Sequence, residues 1–177
     1  EFWLRFCGIS CFHLGVSRSV FIVRFWGPVI VLMALIFVAS TDMFGGDETS
    51  SLVRPFLEWL LPGQPEALYE QLHFLIRKAG HLIGYAWLAM HTWRALRHRL
   101  GPDGNLALRP VTRGFLVCVI LIPALYAVTD EWHQTFTEVR EGKVSDVLID
   151  TVGAVLGTAA CWFLSQFRFP RLRTAEA

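Results

Sequence analysis

The sequence predicts an all-α, polytopic membrane protein: a four-transmembrane-helix bundle with both termini cytoplasmic. Three observations carry this prediction. Of 177 residues, 54% are hydrophobic and only 18% charged, and the mean hydropathy is +0.45; soluble domains are usually less apolar. Several apolar runs approach the roughly 20 residues that cross a bilayer as a helix. Lys and Arg are also distributed unevenly among the connecting segments, as they are when short loops fix orientation.

The first predicted span is Phe25 to Ser40, with Pro28 in its first turns, where a missing N–H is tolerated. The second runs from Leu72 to Ala95 and is the most polar, carrying Arg77, Lys78, His81 and His91. Glu66 to Gln71 reads as its protruding start. The third is Val111 to Trp132, with Pro123 as an expected kink. The fourth is Val147 to Phe167. Between the first two, Asp42 to Asp47 reads as a loop. Leu52 to Leu61 is apolar but too short to span, and suits a helix lying in the interface.

These spans divide the chain into a leader at 1–24, interfacial or poorly ordered, a membrane domain at 25–167 and a basic cytoplasmic tail at 168–177. Arg18 breaks the apolar part of the leader and no small-residue cleavage site follows, so the leader does not read as a signal peptide. The leader carries Arg5, Arg18 and Arg24. The first loop has Arg54 against Asp42, Asp47, Glu48, Glu58, Glu66 and Glu70. The second loop is basic, with Arg94, Arg97, Arg99, Arg109 and Arg113, and the tail adds Arg168, Arg171 and Arg173. The alternation places the protein in the plasma (inner) membrane as a multi-pass chain, with the first and third loops outside.

This topology brings separate polar groups to one extracytoplasmic level. Lys78, His81 and Tyr85 stand at i, i+3 and i+7, on one helix face. Asp130, Glu131 and Gln134 end the third helix, and Arg140 follows in the loop. Asp146 and Asp150 share a face of the fourth helix with Gly153 and Gly157, a small-xxx-small pair that lets helices approach closely. Asp146 also stands where an N-cap would, before the apolar run. Ionisable residues at membrane depth are expensive and mark functional sites unless they only pair with one another.

Three readings of this cluster stay open. It binds an anionic lipid or cell-wall precursor, with Lys78 and Arg140 as the anion contacts. It is an enzyme site, with Glu131 as general base and His81 or Asp130 assisting. Or it is an ion network that only fixes the bundle. No metal is expected: no fixed ligand spacing such as H-E-x-x-H occurs, and Lys78 and Arg140 bring positive charge to the place a metal would take. Cofactors are not expected either. Cys7, Cys11, Cys118 and Cys161 complete no metal site and read as structural. A net charge of +1 without a basic, aromatic-laced tract gives no reason to invoke nucleic acid. The bilayer is the one partner the composition requires, and the oligomeric state stays open.

The polar residues resemble the pattern of the VanZ-like family of bacterial membrane proteins. Lys78, His81 and Tyr85 match its Lys-x-x-His-x-x-x-Tyr piece. Asp130, Glu131, Gln134, Arg140, Asp146, Asp150, Gly153 and Gly157 match its second piece in order. The resemblance covers about residues 25–165; the leader and the Gly101-Pro102-Asp103-Gly104 loop depart from it. It implies a cell-envelope protein. The founding member is tied to low-level resistance to teicoplanin, a glycopeptide that acts outside the membrane on cell-wall precursors.

Overall fold

The computed structural model describes residues 16–41, 46–137 and 142–168. Its elements are α1 (Arg18–Phe25), α2 (Gly27–Ala39), α3 (Gly46–Leu60), α4 (Glu66–Arg97), β1 (His98–Leu100), β2 (Leu106–Leu108), α5 (Arg113–Gln134) and α6 (Val144–Arg168). Part of the sequence assigned to the leader is therefore helical. Ser17 caps α1 by accepting from the Val20 amide. The chain then bends by 42° between α1 and α2. Gly27 and Pro28 stand at this break, where proline removes a backbone donor and glycine weakens the helix.

The pairing of side chains fixes the direction of each helix. Lys78 meets Asp146 and His81 meets Asp150. Further along, Leu82 meets Gly153 and Ala86 meets Gly157. The numbers rise together, so α4 and α6 run parallel. Trp93 packs edge-on against Phe115, and Tyr85 lies near Tyr126, so α5 runs against α4. Tyr126 donates to the Met33 carbonyl at 2.6 Å and Ser40 donates to Asp130 at 2.8 Å, so α2 runs with α5. The result is an alternating bundle, up and down, around Phe25, Val29, Tyr85, Leu88, Ala95 and Ala127.

The α4–α6 seam is the tightest. A Cβ on Gly153 would collide with the Leu82 carbonyl oxygen, and one on Gly157 with that of Ala86. The obstacle is backbone, so only glycine permits this approach. Thr92 and Thr158 are buried mid-helix but donate to the carbonyls four residues back, Leu88 and Ala154, so neither of these two hydroxyls is orphaned.

α5 and α6 are each long and apolar enough to cross a membrane, and the bent pair α1–α2 passes the same test if taken as one span. α4 is longer, at 32 residues, but too polar to qualify by composition. α5 continues through Pro123, and Thr112 caps it by accepting from the Phe115 amide. The short apolar segment predicted at Leu52 to Leu61 belongs to a longer helix, α3, with Leu57 buried and Phe56, Trp59 and Leu60 exposed.

The all-α expectation needs one correction. His98–Leu100 and Leu106–Leu108 pair as a small antiparallel hairpin, with His98 opposite Leu108. Three-residue strands are too short to show a period in sequence. Pro102, Asp103 and Gly104 form the turn, and Gly104 takes φ +76°, a conformation glycine adopts without a Cβ penalty.

Candidate functional site

Three helices deliver the site. Lys78, His81 and Tyr85 come from α4, Asp130, Glu131 and Gln134 from the end of α5, and Asp146 and Asp150 from the start of α6. The three α5 residues and the two aspartates are each at most 4% exposed, and so is Tyr85. Arg140 lies outside the described residues.

Lys78 Nζ pairs with Asp146 Oδ1, joining residues 68 positions apart. Ser145 Oγ also donates to Asp146 at 3.2 Å. Asp146 is therefore the third residue of α6 and an ion-pair partner, not the N-cap its position suggested. One turn further in, His81 Nδ1 lies 3.1 Å from Asp150 Oδ1. A carboxylate can only accept, so Nδ1 carries the proton in this pair.

The α5 acids are held differently. Asp130 Oδ2 accepts from Ser40 Oγ at 2.8 Å and from Gln134 Nε2 at 3.4 Å. Glu131 Oε1 accepts from Gln134 Nε2 at 3.2 Å, and its Oε2 from the Lys143 backbone amide at 2.8 Å. Glu131 thus ties the end of α5 to the start of α6. A Cβ on Gly142 would collide with the Glu131 carbonyl oxygen, so this crossing also needs glycine. Neither α5 acid pairs with Lys78, whose partner is Asp146.

Ser40, Gly142 and the Lys143 amide are parts of the cluster that the sequence did not nominate. Ser40 ends the first apolar run at the acidic end, and its position there is the one available signal. Backbone donors carry none.

The balance of charge and hydrogen bonding is lopsided. Of the four buried carboxylates, Asp146 pairs with Lys78 and Asp150 with His81, while Asp130 and Glu131 are held by hydrogen bonds. Tyr85 Oη, Asp130 Oδ1 and Gln134 Oε1 are buried with no hydrogen-bond partner. Each unmade bond of this kind costs about 1–3 kcal/mol. His81, Glu131 and Asp150 each offer a ligand-type atom, and these atoms all lie within 4.8 Å of one another. No local spacing in the sequence announces this convergence, because the three residues come from three helices.

The family model for VanZ/LLP1 matches residues 25–165. No match was found among curated proteins or among solved structures. The match spans most of the chain and all of the cluster, and this protein belongs to the VanZ/LLP1 family of helical membrane proteins.

Proposed function

We propose that the chain crosses the plasma membrane four times, through α1–α2, α4, α5 and α6, with the acidic cluster facing the extracytoplasmic side. The support is physical. At about 1.5 Å per residue α4 extends roughly 48 Å, more than a bilayer core. Its polar face turns into the cluster, while Phe74, Leu75, Ile76, Ile83 and Trp87 are exposed on the outside, as a lipid-facing surface requires. Arg24, Arg94, Arg97, Arg99, Arg109 and Arg113 gather at the opposite end of the bundle, where the positive-inside rule puts the cytoplasm. Both termini then lie on the cytoplasmic side.

The cluster is a binding site for the polar head of a lipid-linked envelope molecule. The observation that carries this is the set of buried, unpartnered atoms, Tyr85 Oη, Asp130 Oδ1 and Gln134 Oε1. A purely structural network would be expected to satisfy its members. Two of the three atoms are acceptors only, and the carboxylates outnumber the cations, so the complement is a head group rich in hydroxyl or amine donors, such as a sugar. Lys78 is engaged by Asp146, which leaves Arg140 as the anion contact for any phosphate on the same molecule. A role in glycopeptide tolerance follows if that molecule is the precursor the drug targets.

Tyr85→Phe tests this reading. The hydroxyl has no partner in the protein, so its removal should leave the melting temperature unchanged or higher. Binding of a polyprenyl-diphosphate sugar lipid to the protein in nanodiscs should weaken by about tenfold, the loss of one hydrogen bond to ligand. Identical affinity in wild type and variant, or none in either, overturns it.

The His81–Asp150 pair favours a second reading, catalysis. An imidazole oriented by a carboxylate, with Glu131 beside it, is equipped for proton transfer. Turnover of the same lipid that survives Glu131→Gln would exclude Glu131 as the base.

A further inference from the structure

We propose that His81, Glu131 and Asp150 form a binding site for a divalent transition-metal cation of the zinc or manganese type. The three side chains each contribute one ligand atom, and all of these atoms lie within 4.8 Å of one another. Ligands held about 2.0–2.2 Å from a common ion are separated by about 3 Å when adjacent and up to about 4.4 Å when opposed. His81 Nδ1 and Asp150 Oδ1, 3.1 Å apart, have the adjacent separation.

The chemistry of the donors selects the ion. Two carboxylates with one imidazole suit zinc or manganese. Calcium and magnesium prefer all-oxygen shells. Three protein ligands leave further coordination positions for water or a ligand oxygen, as in open zinc sites.

The surroundings supply what such a site needs. Glu131 is oriented by Gln134 and by the Lys143 amide, as carboxylate ligands usually are. The sequence-based objection to a metal was the charge of Lys78 and Arg140; that of Lys78 is spent on Asp146 one turn away, and Arg140 lies outside the described residues. Asp130 and Glu131 are held by hydrogen bonds from Ser40, Gln134 and the Lys143 amide, and a dication compensates buried carboxylates. An independent observation points the same way. Tyr85 is 2% exposed, one turn from His81 on the same face, within electrostatic range of Asp130, Asp150 and Glu131. Its buried hydroxyl has no hydrogen-bond partner in the protein, which leaves it open to a bond from outside the chain. Metal on His81 Nδ1 replaces its hydrogen bond to Asp150, and the ring proton then sits on Nε2.

The test uses full-length, tag-free protein in detergent, with all four cysteines replaced by serine and stripped by a chelator. It reads the metal alone, with no envelope lipid, so its outcome is separate from that of the lipid-binding experiment. Calorimetric titration with Zn²⁺, and separately with Mn²⁺, should show one ion per chain. Co²⁺ should give a visible spectrum of mixed nitrogen and oxygen ligation. Asp150→Asn keeps the shape and should weaken binding by more than the about 10–100-fold typical of losing an outer-shell partner. His81→Gln should remove the nitrogen contribution from the cobalt spectrum. No stoichiometric binding by the wild type, or binding unchanged in both variants, overturns the proposal.

Discussion

The two ends of the bundle handle charge in opposite ways. At the acidic end, four carboxylates are buried; Lys78, His81 and Ser40 meet Asp146, Asp150 and Asp130, and Gln134 with the Lys143 backbone amide holds Glu131. At the basic end, the arginines lie at the surface or half-buried and lean on aromatic and backbone groups. The Arg94 guanidinium donates to the Arg24 carbonyl at 3.1 Å and sits 4.9 Å from the centre of the Phe25 ring. His98 stacks on the same ring and contacts the Arg94 carbonyl at 2.8 Å. An open cavity of about 620 Å³, lined in part by Arg18, Phe21, Arg99 and Arg109, lies beside the hairpin. Arginines of this kind can anchor a helix at an interface through stem and guanidinium together. Buried carboxylates need fixed partners, so the acidic end must be built to tighter tolerances.

The largest effect should therefore come from the seam that sets those tolerances. Gly157→Leu forces α6 away from the Ala86 backbone. The loss should exceed the about 1–3 kcal/mol of ordinary overpacking, because backbone cannot move aside as a side chain can. Reversible unfolding in mixed micelles measures it. A leucine tolerated at full stability would mean that the acidic end does not depend on this close approach.

A much smaller effect belongs to the basic end. Burial, followed by the neighbouring Arg94, Arg97 and Arg24 charges, holds the His98 imidazole below its ordinary pKa, against a raising contribution from the Arg94 carbonyl. The folded state then binds this proton less readily than the unfolded chain does. Stability from this group is present above the unfolded value of about 6.5 and is lost as pH falls below it. The melting temperature should drop slightly between about pH 8 and about pH 5, and His98→Gln should remove that part of the drop. An unchanged pH profile in the variant would show that His98 is indifferent to its neighbours.

Much of this contrast was legible in the sequence, for identifiable reasons. Lys78, His81 and Tyr85 share a face because helical spacing is regular, and Gly153 and Gly157 announce a close helix contact. The uneven arginines ordered the loops. Other features were not legible. The bend at Gly27 is not expected from the sequence, because Pro28 is tolerated in the first turns of a span that begins at Phe25. The hairpin is too short for a period. The pairing of Lys78 with Asp146, rather than with Asp130 or Glu131, depends on the axial offset of α4 and α6, which packing sets and composition does not. The convergence of His81, Glu131 and Asp150 has the same origin, which is why local spacing gave no reason to expect a metal.

The central claim is that residues far apart in sequence form one buried cluster at one end of the bundle. A double-mutant cycle on Lys78→Met and Asp146→Asn tests it most directly, read as unfolding free energy in mixed micelles. Partners in a buried ion pair should show a coupling within the about 0.5–3 kcal/mol range of contacting groups. Additivity within about 0.3–0.5 kcal/mol, the behaviour of independent sites, would contradict the account.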